Sequence, residues 1–145
     1  IDEGQAIVRE RVRAVADGGD PPGRYQLLAA INAVHTAAPS AHDTDWSAIV
    51  TLYDRLCVLD PSPIVRLNRA VALAELDGPA VGLAEVERLA AALDGYHALH
   101  VARAELLRRL GRGAEARIAY DRAIALAGNV AERAHLTRRR AQLVC

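Results

Sequence analysis

Few side chains in this sequence stand where they could do chemistry. His97 and His100 are three apart, a spacing that sets two imidazoles on one side of a helix. A metal needs further ligands, and no cysteine or acidic cluster stands at ligand spacing beside them; His35 and His42 have no better company. Cys57 and Cys145 lie far apart, and two thiols alone make neither a zinc site nor, in a cytosolic protein, an expected disulfide. Ser40, Ser47 and Ser62 lack the Gly-x-Ser-x-Gly turn of a serine nucleophile, and Ser62 reads as a helix cap. His42, Asp43 and Asp45 crowd one loop, where turn formation and capping account for both aspartates. Without any lysine there is no Gly-x-x-x-x-Gly-Lys phosphate loop. The expectation is a non-catalytic chain with no metal and no cofactor.

More informative are polar side chains set among small apolar ones. Gln26, Asn32 and His35 interrupt the run Tyr25–His35, and Asn68 and Arg69 interrupt Val65–Ala72. Arg103 follows His100 by three residues. Amides and guanidinium groups on a concave helical surface suit a peptide backbone or carboxylates. They could equally satisfy one another and nearby loop carbonyls between helices. For Asn68 and Arg69 both roles stay open, while Asn32 and His35 fit the structural one better. The candidate groove is Asn68, Arg69, His100 and Arg103, with Gln26, Asn32 and His35 as a second set.

Composition narrows the partners. Basic and acidic residues number 18 each, whereas a domain gripping phosphates usually carries a basic excess. Direct nucleic-acid binding is therefore not expected. No stretch approaches the ~18 consecutive apolar residues of a membrane span, and no signal peptide is expected, so the expectation is a cytoplasmic protein. The sequence has no Met, which suggests a piece of something longer.

The elements that must position these residues are helices. Ile1, Val8, Val12 and Val15 form an apolar stripe for a leading helix over 1–17, and the Gly/Pro-rich segment 18–23 reads as a hinge-like loop. Further helices are predicted over about 24–38, 45–59, 63–77, 79–94, 96–110 and 113–127. A capping helix over 129–145 makes about eight. Ser62-Pro63 is a start signal, a capping hydroxyl followed by Pro at the first helical position. Gly111 reads as a C-cap. Trp46 and Tyr53, seven apart, are expected in the core because the chain has no Phe. The run Arg138–Arg140 reads as the solvated face of the last helix.

A repeat organises these helices. Leu59-Asp60-Pro61, Leu93-Asp94-Gly95 and Ala127-Gly128-Asn129 recur every 34 residues, as do Arg69 and Arg103. Gly82 and Val86 align at that interval with Ala116 and Tyr120, small residues for close helix approach and larger ones to fill the groove beside them. Thirty-four residues per helix-turn-helix is the period of the tetratricopeptide repeat. The predicted fold is all-α: antiparallel helix pairs over 24–128 stacked as a tetratricopeptide-like right-handed α-solenoid, one domain over 1–145.

Arg24–His35, Asp43–Asp54, Pro61–Ala72, Tyr96–His100 and Arg103–Gly111 together resemble one group, in the right order and over nearly the whole chain. It is the tetratricopeptide-like C-terminal extension of extracytoplasmic-function (ECF) sigma factors. That resemblance implies a regulator of transcription initiation. Its partners would be the promoter-reading domains of the same full-length sigma factor and RNA polymerase, met through intramolecular or protein–protein contacts. Two other roles stay open, a free-standing adaptor for a partner's peptide and a small-molecule sensor.

Overall fold

The computed structural model describes residues 23–37 and 44–143. They form seven helices: α1 (Arg24–Ala37), α2 (Trp46–Leu59), α3 (Pro63–Asp77), α4 (Pro79–Leu89), α5 (His97–Arg109), α6 (Gly113–Leu126) and α7 (Val130–Ala141). No strand occurs among the described residues. The leading helix expected over 1–17, and all of the hinge-like loop but Gly23, lie outside them.

Local chemistry places the ends. Asp45 Oδ1 accepts the Ala48 N–H at 3.1 Å to start α2. Ser62 Oγ accepts the Val65 N–H at 3.4 Å to start α3, which opens on Pro63. Asn129 Oδ1 accepts the Glu132 N–H at 2.7 Å to start α7. Each bond satisfies one of the donors a helix N-terminus leaves orphaned. Gly111 ends α5 at φ 74°, where its N–H reaches the Arg108 carbonyl and the Arg112 N–H the Leu107 carbonyl, both at 3.0 Å. Only glycine adopts that backbone without a Cβ penalty. One boundary differs from expectation: α4 stops at Leu89 rather than near Asp94. Residues 90–95 turn instead, the Tyr96 N–H closing on the Leu93 carbonyl at 2.9 Å.

The described residues divide into two compact units, one up to Ala72 and the other from Leu73. In the first, α1 packs on α2. Leu27, Ile49, Leu56 and Leu67 are buried there to 2% exposure or less, so α1, α2 and α3 each contribute to the core. Trp46 and Tyr53, expected inside, are only partly buried; aliphatic side chains fill the interior instead. In the second unit α4, α5, α6 and α7 pack each on the next. Gly82 and Ala116 are buried, as are Val86 and Tyr120, the small-then-large pairing predicted from the repeat.

Ion pairs within the second unit carry the same period. Glu75 meets Arg109 at 3.1 Å and Glu105 meets Arg139 at 3.2 Å. The members of each pair stand 34 residues apart. The two ion pairs bridge alternate helices, the last turn of α3 to α5, and α5 to α7.

Candidate functional site

The site is built first on α3. Ile64, Asn68 and Val71 stand at i, i+4 and i+7, one helical face. Asn68 is exposed, and its amide makes no hydrogen bond with any described residue. Ile64 and Val71 flank it with 43% and 41% of their surfaces open. An amide with both donor and acceptor unclaimed, between two aliphatic side chains, can pair with a peptide backbone while the aliphatics seat its side chains. The neighbouring Arg69 is turned elsewhere: its Nε donates to Asp54 Oδ1 on α2 at 2.5 Å. Asn68 and Arg69 thus have separate fates, and neither satisfies the other.

The second predicted set scatters. Gln26 Oε1 accepts the Gly23 N–H at 3.1 Å and tethers the start of α1. His35 lays its ring edge-on against Trp46, centroids 5.3 Å apart. Asn32 is exposed and unbonded among the described residues. On α2, burial pushes the Cys57 thiol above its ordinary value and outweighs the nearby arginines, which disfavours the thiolate at neutral pH.

In the second unit His100 does not line a surface. It is buried, its Nε2 placed 2.5 Å from the Asp94 carbonyl, so it holds the turn before α5. His97 parts from it toward α7, with Nδ1 3.7 Å from Glu132. No three His, Cys, Asp or Glu side chains converge as a metal set among the described residues. Arg103 donates to Glu87 on α4 at 2.5 Å, repeating the tie of Arg69 to the preceding helix. Each of the two guanidinium groups thus has a carboxylate partner on the preceding helix.

Those ties are weak ones. Asp54 and Glu87 are 53% and 44% exposed, and ion pairs open to water are worth about 0–1 kcal/mol. Arg69→Ala and Arg103→Ala should therefore each lower stability by less than about 1 kcal/mol in urea melts. Either arginine can thus exchange its carboxylate for one brought by a ligand.

A polar knot escaped the sequence analysis. Glu105 on α5 accepts the Tyr120 hydroxyl at 2.8 Å, Arg108 at 2.9 and 3.1 Å, and Arg139 at 3.2 and 3.3 Å. Burial alone would raise the Glu105 pKa, but these donors together hold it below the usual carboxylate value. Burial, then the facing carboxylate, push the Tyr120 hydroxyl up to about 12. The spacing of Glu105 and Arg139 at one full repeat, shared with Glu75 and Arg109, was the available signal.

Helix pairs with a 34-residue period define the chain as a tetratricopeptide-like, all-helical repeat protein. The fold is similar to that of the first TPR of Spaghetti (RPAP3), solved bound to the HSP90 peptide SRMEEVD: TM-score 0.65, 22% identity, 85% of this chain and 94% of that one. In sequence, an uncharacterized protein of Rhizobium meliloti (strain 1021) is 51% identical over 115 residues, 79% of this chain. The chain spans 27% of that relative's length. No protein-family model matches. No described helix is long and apolar enough to cross a membrane.

Proposed function

We propose that this chain is a non-catalytic protein-binding module that takes an extended peptide segment along the exposed face of α3. The carrying observation is the unclaimed Asn68 amide between half-exposed Ile64 and Val71. Arg69, one residue on and only loosely held by Asp54, suits an acidic residue in that segment. The similar fold of a repeat domain solved with a bound peptide supports the reading. For the biological setting we propose the regulatory C-terminal part of a cytoplasmic ECF sigma factor, on the resemblance of the five segments quoted above. The bound segment would then come from the promoter-reading part of the same protein or from RNA polymerase. A longer relative containing the matching region is in keeping with a module within a larger chain.

Fluorescence anisotropy with overlapping peptides from the full-length protein and from RNA polymerase tests both levels. One peptide should bind, and Asn68→Ala should weaken it roughly tenfold or more, since a buried partner loses about 1–3 kcal/mol of hydrogen bonding. Melting should be nearly unchanged, because Asn68 is exposed and bonds no described residue. Equal binding by wild type and variant removes the α3 face from the proposal. Binding only to unrelated peptides leaves the module and overturns the sigma-factor setting.

A further inference from the structure

Where α5 ends, Arg108, Gly111, Gly113, Gln142 and Leu143 line a cavity of about 420 Å³. That is within the range of small-ligand sites, roughly 300–1,000 Å³. Its chemistry is uneven. Leu143 gives an apolar wall, and the two glycines leave backbone exposed without side chains to fill the space. Arg108 is held in place: Nε and Nη2 both donate to Glu105 Oε2, at 3.1 and 2.9 Å. Its Nη1 takes no part in those Glu105 bonds, and the Gln142 side-chain amide bonds no described residue.

Charge favours an anion there. Glu105 is the one carboxylate against two guanidinium groups, Arg108 and Arg139, so the cluster keeps a unit of positive charge. The acidic residue next along, Glu115, is engaged by Arg112 at 2.6 Å. A fixed guanidinium with a spare donor, an amide beside it and an apolar wall fit a carboxylate that carries a short aliphatic group. We infer that this cavity is a binding site for such a carboxylate, either a free small acid or the C-terminal residue of a peptide. It is built from other residues than the α3 face and stands or falls separately.

Amide and Arg Nε NMR spectra of the chain, titrated with N-acetylleucine, test it. Saturable shifts are expected at Gly111, Gly113, Gln142 and the Arg108 Nε–H. The carboxamide, which has no charge, should bind at least roughly tenfold more weakly. Acetyl-Ala-Ala-Leu with a free carboxylate distinguishes the sources: roughly tenfold tighter binding than N-acetylleucine assigns a peptide C-terminus, equal binding a free acid. Leu143→Trp, which fills the cavity and leaves the Arg108–Glu105 bonds untouched, should abolish the shifts. No shifts, equal shifts with the carboxamide, or full binding by Leu143→Trp overturns the inference.

Discussion

Tyr120→Ala is expected to cost about 3–5 kcal/mol, a large part of the 5–15 kcal/mol that holds most domains folded. Tyr120 is fully buried on α6 among the packed helices of the second unit, so truncation leaves a ring-sized cavity. It also strips Glu105 of one donor. Urea unfolding followed by circular dichroism should show the loss as a lower midpoint at unchanged slope. Tyr120→Phe separates the two contributions. It keeps the ring and should cost only about 1 kcal/mol, the net worth of one hydrogen bond. Alkali supplies an independent check. A folded pKa raised from 10.0 to about 12 means that the hydroxyl's stabilising effect is intact below pH 10 and lost as pH rises toward 12. Tyr120→Phe should not show that loss. A wild-type chain equally stable at pH 9 and pH 11.5 would contradict the buried, Glu105-bonded hydroxyl.

Glu105→Ala is the second large effect, about 2 kcal/mol or somewhat more. The substitution leaves a buried hydroxyl and two guanidinium groups without their shared acceptor, and unpaired polar groups cost more than their bonds contribute. The lower end of the range applies because the Glu105 side chain is 25% exposed and water can reach the orphaned groups. The pH dependence has the opposite sign to that of Tyr120. A depressed carboxylate pKa contributes stability that is present above the unfolded value of 4.5 and lost as pH falls through the folded one. Glu105→Gln should flatten that acid limb and retain part of the Tyr120 bond. A double-mutant cycle between Glu105 and Arg139 should give a coupling of roughly 0.5–1.5 kcal/mol, and a coupling of zero would mean that the α5–α7 contact does not hold in solution.

Much of the fold was legible because its signals are local. Ser62-Pro63, Asp45 and Gly111 act through bonds to residues three positions away, so their types alone announce where helices begin and stop. The 34-residue interval likewise needs only alignment of the chain with itself. The end of α4 was less legible, since Leu93 belongs to the apolar pattern yet lies in a turn; periodicity reports burial and does not distinguish a loosened last turn from a helix.

The candidate site divides along the same line. From the sequence came the helical repeat, the presence of Asn68 among apolar neighbours, and the equivalence of Arg69 and Arg103. Only the packing of one helix against another decided that Asn68 stays open while Arg69 and Arg103 reach back to Asp54 and Glu87. Packing also buried His100 against the Asp94 carbonyl and gathered Glu105, Arg108, Tyr120 and Arg139 into one knot. The reason is physical. A cap or a period is set by backbone geometry within one or two turns, whereas a guanidinium on a long, flexible stem bonds whichever carboxylate the neighbouring helices bring within reach.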